Sequence, residues 1–116
     1  MNYSEMKDHE INAAVGEAMG WNAEFIHQDD SVMFRDDLGR LRGRKSYCNS
    51  WADAGPIIEK YRITMNAQFG GWFCFVSTAK TMKQLEEGNH HFSHMHGNPL
   101  RAAMIVFLMM QEQPNA

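Results

Sequence analysis

Four histidines lie within seven residues of one another, in the stretch "HHFSHMH" at residues 90–96. Imidazole nitrogens are common zinc ligands near neutral pH, and three of them can leave an open position for a catalytic water. If the stretch is extended, His90, His94 and His96 share one face. Because a strand rises about 3.3 Å per residue, only His94 and His96 are close enough to share an ion. We therefore expect no cofactor, with zinc on this pair, completed by distant ligands, as the alternative.

A second candidate is the basic segment at residues 35–45, which holds five of the eleven Lys and Arg residues of the chain. Arginines spaced by two could lie on one edge and hold phosphates, while neighbouring aromatic rings could stack on a base. The residues of this candidate ligand site are Arg40, Arg42, Arg44, Lys45, Tyr47 and Trp51, with Trp72 as a second stacking residue. Asp36 and Asp37 interrupt the positive charge, and a solvated loop would explain the segment just as well.

The sequence gives little support for a disulfide-bonded secreted protein, for binding driven by net charge, or for a membrane-spanning protein. Cys48 and Cys74 have no CxxC spacing, and the polar N-terminal stretch is unlike a signal peptide, so we expect reduced thiols in a cytoplasm. A formal net charge of −3 gives no general attraction to nucleic acid or membranes. The longest apolar run has nine residues, 102–110, whereas a membrane span needs about twenty.

The 116 residues predict one domain, residues 1–116. Apolar residues at helical spacing predict three helices, at roughly residues 4–19, 51–61 and 99–112. Strands are predicted on either side of Asp29-Asp30 and at residues 62–66 and 71–77, whereas residues 36–46 read as a loop. This order favours an α+β fold, in which a small antiparallel or mixed sheet of about four to five short strands packs against the three helices.

Capping residues set the expected helix ends. Ser4 can cap the first helix, and Gly20 suits a left-handed stop. Asn98 precedes a proline and should cap the third helix. Pro56 cannot donate a backbone hydrogen bond, so the regular part of the second helix should begin near Gly55.

Three stretches resemble the NinX-like phage proteins of unknown function: "NYSEMKDHEINAAVGEAMG", "YCNSWADAGPIIEKYRI" and "NPLRAAMIVFLMMQ". Together they cover nearly half of the chain and contain its three predicted helices, but not residues 22–45 or 79–96. The resemblance implies a small accessory protein of a tailed bacteriophage or prophage, made in the bacterial cytoplasm, with no assigned enzymatic activity. It also implies a helix–sheet–helix sandwich.

We expect a non-catalytic phage accessory protein that binds a host or phage macromolecule in the host cytoplasm, without a membrane, as a monomer or homo-oligomer. One alternative is a small-ligand binder that sequesters a nucleotide-like molecule, such as a host defence signal, with the arginines on its phosphates. Nucleic acid is a related partner for the same residues. Another alternative is a metal-dependent hydrolase that uses His94 and His96.

Overall fold

The computed structural model describes residues 2–77, 81–83 and 90–112. Three α-helices lie in this part of the chain: α1 (Asp8–Ala18), α2 (Trp51–Tyr61) and α3 (Pro99–Glu112). Six strands accompany them: β1 (Asn22–Ile26), β2 (Val32–Arg35), β3 (Leu41–Lys45), β4 (Thr64–Gln68), β5 (Gly71–Ser77) and β6 (His90–His96). The predicted α+β class is confirmed, and the three helices lie within the predicted regions of the chain.

The described strands form two antiparallel sheets of three strands each, β1-β2-β3 and β4-β5-β6. The prediction of a single sheet with four to five strands is therefore wrong in detail. The additional strand is β3, within the segment predicted as a loop. It is an edge strand whose side chains are mostly exposed, so charged residues are tolerated and no alternating apolar pattern marks it.

Helix α3 forms the centre of the core. Every residue from Leu100 to Leu108 is buried, because the helix packs against β5 and β6 and also against α1 and α2. Helix α1 in turn contacts β1 and β2, so the helices connect the two sheets. This arrangement differs from the helix–sheet–helix sandwich implied by the resemblance. Among the described residues, no helix is long and apolar enough to cross a bilayer.

Helix α1 begins later than predicted and ends where predicted. Ser4 lies in a separate 3₁₀ turn, and Glu10 instead accepts a hydrogen bond from the backbone N–H of Lys7 at 3.0 Å. At the other end, Gly20 has a φ of +94°. The backbone N–H of Trp21 donates to Gly16 and that of Gly20 to Glu17, a pattern that satisfies the last carbonyls of the helix.

Helix α2 passes through Pro56 without a break. The helix begins at Trp51, so the expectation of a regular start near Gly55 is wrong. A residue before proline normally avoids the helical region because its Cβ clashes with the proline ring. Gly55 has no Cβ, which removes this part of the clash. Ser50 accepts the backbone N–H of Asp53 at 3.3 Å and caps the helix.

The end of α2 offers a stabilising substitution. Arg62 has a φ of +54°, and the backbone N–H of Ile63 donates to Ile58 across this turn. A residue with a Cβ pays about 1–2 kcal/mol in this conformation. We expect Arg62→Gly to raise the free energy of unfolding by about 1 kcal/mol in urea titrations. A matched Lys60→Gly change, inside the helix, should lower it by a similar amount. If both variants lower the free energy of unfolding equally, the conformation of Arg62 is not a source of strain.

An ion pair between the buried Arg101 and the partly exposed Asp8 links the N-terminal residues to α3. The side chain of Arg101 is only 8% exposed and contacts Asp8 with an N–O distance of 2.7 Å. It also donates to the backbone carbonyls of Tyr3 and Met6, at 3.1 and 2.5 Å. The guanidinium thus joins residues that lie 93 or more positions earlier in the chain.

Two asparagines complete this polar junction. Asn12 is fully buried, donates to the carbonyl of Asp30 at 2.8 Å and accepts the backbone N–H of Cys48 at 3.0 Å. Asn98 donates to the Cys48 carbonyl at 2.8 Å. As predicted, Asn98 also caps α3, because its Oδ1 accepts the backbone N–H groups of Leu100 and Arg101. Buried backbone groups of the loop before α2 are thereby satisfied.

Both cysteines are free and buried. Burial raises the pKa of Cys48 to about 12 and that of Cys74 to about 11. We expect a thiol reagent near pH 8 to label the folded protein at least about a hundredfold more slowly than free cysteine, since the thiolate is the reactive form. Reaction in urea should be rapid and consume two thiols per chain. Rapid labelling of either cysteine before unfolding would show that its thiol is accessible.

Candidate binding site

A surface cavity of about 210 Å³ lies between the end of α1, strand β3 and the first turns of α2. We call it the Trp21 cavity. Its polar and aromatic lining consists of Trp21, Arg42, Lys45, Tyr47 and Asp53. Met19, Pro56 and Ile57 are among the residues that complete it. Three of the six residues predicted for a ligand site, Arg42, Lys45 and Tyr47, therefore meet in one cavity.

A β-bulge determines which cations reach the cavity. Phe34 pairs with Gly43 and the next residue, Arg35, pairs with Leu41, which leaves Arg42 as an extra residue on β3. Gly43, at a φ of +101°, accommodates the bulge. The expectation that arginines two apart would lie on one edge is therefore wrong, because the bulge breaks the alternation of the strand.

The cations of the cavity have different partners. The Arg42 guanidinium lies over the Trp21 ring, 4.2 Å from its centroid, in a cation–π contact. Lys45 is 3.8 Å from a carboxylate oxygen of Asp53, and the other oxygen of Asp53 accepts the backbone N–H of Ser46. Burial and the nearby Asp53 raise the pKa of Tyr47 to about 12. The cavity thus presents two cations and one carboxylate beside an aromatic ring.

The remaining predicted arginines do not line the Trp21 cavity. Arg40 pairs with Asp36 at 2.8 Å, and Arg44 pairs with Asp29 at 2.7 Å. Hydrogen bonds from Ser31, with the added charge of Arg44, lower the pKa of Asp29 to about 2. The positive charge of Arg40 and Arg44 is therefore matched by local carboxylates instead of being free for a phosphate.

The two predicted stacking residues also lie elsewhere. Trp51 is 58% exposed at the start of α2 and does not line the Trp21 cavity, although Ala52 and Asp53 beside it do. Trp72 is partly buried and packs against the hydrophobic core. A structural role is enough to explain Trp72.

The histidine stretch is a strand, as the metal hypothesis required. On β6, His94 pairs with Cys74 and His96 pairs with Trp72 across the sheet, which places the two histidines on the same face. His96 uses its Nδ1 to accept the backbone N–H of Asn98 at 2.9 Å. Burial, with the charges of His96 and Arg101, lowers the pKa of His94. The His90 side chain lies outside the described part of the structure, in which no three His, Cys, Asp or Glu side chains are grouped closely enough for a metal ion.

Trp21 and Asp53, which also line the cavity, were not among the residues predicted from the sequence. Trp21 directly follows the glycine that ends α1, a position where an apolar residue commonly packs back on the helix. That signal predicts a local contact and gives no indication of Arg42, which comes 21 residues later. Asp53 was recognisable only as a first-turn residue of α2.

Two small antiparallel sheets joined by three helices, with a cavity at the surface, give this chain an α+β fold. The chain belongs to the family described as Bacteriophage P22, NinX, whose model matches residues 2–111. The match includes the arginine and histidine segments, which the three resembling stretches left out. No curated protein matches the chain.

Proposed function

We propose that this phage protein is a non-catalytic accessory factor that binds a host or phage protein in the cytoplasm of the bacterial host. The observation that carries the proposal is the Trp21 cavity, where a tryptophan, a tyrosine and an arginine line one concave surface. Trp, Tyr and Arg are the residue types that most often dominate the binding energy of protein interfaces. The partner we infer places an acidic side chain on Arg42, which stacks on the Trp21 ring, while Lys45 stays paired with Asp53.

The size of the cavity favours a protein side chain over a free small molecule. Sites for drug-sized ligands typically enclose about 300–1,000 Å³, whereas this cavity measures about 210 Å³. A carboxylate with its short aliphatic stem fits such a volume, and the Arg42 guanidinium in the lining matches its charge. The rest of the partner would lie on the surrounding surface.

A catalytic role has less support than binding. The buried thiols of Cys48 and Cys74, with their raised pKa values, are poorly suited to act as nucleophiles. In the cavity itself, Asp53 is committed to Lys45 and to the backbone of Ser46. An acidic group could bind beside these paired charges, and none of the side chains described in the cavity is placed to transfer a proton to it.

The test is capture of a partner from phage-infected cells with matched charge-reversal variants. The wild-type chain and Lys60→Glu, which changes a cation outside the cavity, should retain the same partner. Arg42→Glu has the same change in net charge but repels a carboxylate. Calorimetry with the purified partner should then show at least about tenfold weaker binding for Arg42→Glu, a loss of about 1.4 kcal/mol. Equal affinities for the two variants would exclude the Trp21 cavity as the binding site.

A small anionic ligand is the second candidate, because the same cavity combines cations with aromatic rings. Its volume would hold a phosphate and leave a nucleoside on the outer surface. A thermal-shift panel with inorganic phosphate, nucleotides and Zn²⁺ separates the candidates. Stabilisation by a nucleotide that Arg42→Glu abolishes would favour the small-ligand function. Stabilisation by Zn²⁺ that is lost in His94→Gln would favour the metal hypothesis.

A further inference from the structure

The turn between β4 and β5 holds an aromatic residue in a strained conformation. Gln68 pairs with Gly71, so that Phe69 and Gly70 form a two-residue hairpin turn. Their φ angles are +50° and +77°, as in a type I′ turn. Asn-Gly is the preferred sequence of such turns, and a bulky residue at positive φ is unusual. Phe69 therefore contradicts the local rule for its position.

The strain at Phe69 is not offset by packing within its own chain. The residue is 95% exposed, and Asn66, Ala67 and Gln68 of the same hairpin are exposed and uncharged. Residues in sparsely populated conformations cluster at functional sites, so the conformation of Phe69 points to a functional hypothesis. An exposed phenyl ring at a hairpin tip is suited to insertion into an apolar cavity. The absence of cations among these neighbours does not favour an anionic membrane surface.

The same chain presents an apolar cavity of suitable size. It measures about 180 Å³ and lies between Tyr3, Ala14 of α1 and Leu108 of α3, with Gln111 and Glu112 also in its lining. We call it the Leu108 cavity. An apolar cavity of about 150 Å³ is large enough to bind benzene. A phenyl ring therefore fits the Leu108 cavity, and Phe69 of the same chain, being exposed, does not fill it.

We propose that Phe69 of one copy inserts into the Leu108 cavity of a second copy. Two such contacts related by a two-fold axis close a homodimer. We place Phe69 of a second copy in the Leu108 cavity because each chain carries both an exposed phenyl ring and a cavity that accommodates it. The Leu108 cavity and Phe69 share no residue with the Trp21 cavity. The dimer and the proposed partner-binding function can consequently fail independently.

The small buried area indicates that this dimer is weak. Each phenylalanine buries about 150–250 Å², so two insertions bury roughly 300–500 Å² of phenylalanine surface, and the small concave cavities that receive them add much less. This total is below the range of about 1,200–2,000 Å² for stable interfaces. We therefore expect a weak dimer with a dissociation constant between about 1 μM and 1 mM.

The experiment is sedimentation equilibrium of the purified chain and three variants, over concentrations from about 1 μM to 1 mM. Phe69→Asn introduces a residue that type I′ turns favour. This variant should therefore remain folded, gain thermal stability and be monomeric. Ala14→Leu fills the Leu108 cavity and should also be monomeric. Leu38→Asn removes another exposed apolar residue, 77% exposed in the wild type, and should dimerise normally. Thermal melts establish that each variant is folded.

The expected result is a wild-type dimer whose association weakens at least tenfold in both Phe69→Asn and Ala14→Leu. A wild-type chain that is monomeric at every concentration would overturn the proposal. So would a dimer that survives Phe69→Asn. If Phe69→Asn is monomeric but folded Ala14→Leu still dimerises, the ring binds elsewhere and the assignment to the Leu108 cavity is wrong. Equal weakening by Leu38→Asn would indicate non-specific association and would also count against the proposal.

Discussion

Replacing Arg101 by methionine will lower the free energy of unfolding by about 3 kcal/mol, the low end of the range observed when one partner of a buried ion pair is removed, because Asp8 is 29% exposed. The substitution leaves the Asp8 carboxylate without its cation and the Met6 carbonyl without the Arg101 donor, whereas the Tyr3 carbonyl still accepts the backbone N–H of Met6. Methionine fills a similar space, so the loss reports on the polar contacts more than on packing. Urea unfolding followed by tryptophan fluorescence measures the change.

The control for this variant is Arg35→Met. Arg35 pairs with Glu24 on the surface, where the two side chains are 43% and 46% exposed. Removing an exposed pair should cost only about 0–1 kcal/mol. In the double variant Asp8→Leu/Arg101→Met, no charge is left unpaired at this site, so its loss should be smaller than the sum of the two single losses. If Arg101→Met and Arg35→Met lower the free energy of unfolding equally, the Arg101–Asp8 pair contributes no more to stability than the surface pair.

Replacing Gly16 by alanine will also destabilise the protein, by about 2–3 kcal/mol. Alanine in the middle of a helix normally stabilises it relative to glycine by about 0.5–1 kcal/mol. Here a Cβ on Gly16 would collide with the ring of Phe34, which is fully buried on β2. Because α1 and β2 are both fixed by the surrounding core, steric overlap outweighs helix propensity. Thermal or urea unfolding will show the sign of the effect.

A smaller side chain in place of Phe34 on β2 tests whether steric overlap causes the loss of stability in Gly16→Ala. Phe34→Leu alone should destabilise the core, whereas Gly16→Ala/Phe34→Leu should lose less than the two single variants added together. Gly97→Ala is the matched control, since a Cβ there meets no atom within 4 Å. It should change the free energy of unfolding by less than about 1 kcal/mol. Stabilisation by Gly16→Ala would show that α1 can move away from β2.

The sequence predicts helix ends and turns well, because these features depend on residues that are close together in the chain. The cap at Asn98 and the stop at Gly20 both act as predicted. The hairpin around Asp29-Asp30 forms without glycine because Asp30 itself adopts a φ of +69°. The strand predicted to start at Arg62 starts instead at Thr64, since Arg62 is used to end α2.

Features that depend on distant contacts were not predictable in the same way. Strand β3 carries no apolar alternation, and its pairing with β2 is visible only in the folded chain. The bulge that separates Arg42 from Arg44 depends on that pairing. The Trp21 cavity combines residues from α1, β3 and α2, which no local pattern relates. Three of the six predicted residues therefore line one cavity, but the bulge and the pairing that bring them there could not be read from the sequence.

The position of α3 in the chain has a consequence for synthesis. Helix α3 follows every other described element, yet it is the element on which α1, α2, β5 and β6 pack. As the polypeptide emerges from the ribosome, the apolar faces of those earlier elements have no partner until residues 99–112 are available. Long-range contacts of this kind slow folding and leave unfinished chains prone to aggregation. We therefore expect nascent chains arrested before Pro99 to be substrates for chaperones and proteases, even if the finished domain is stable.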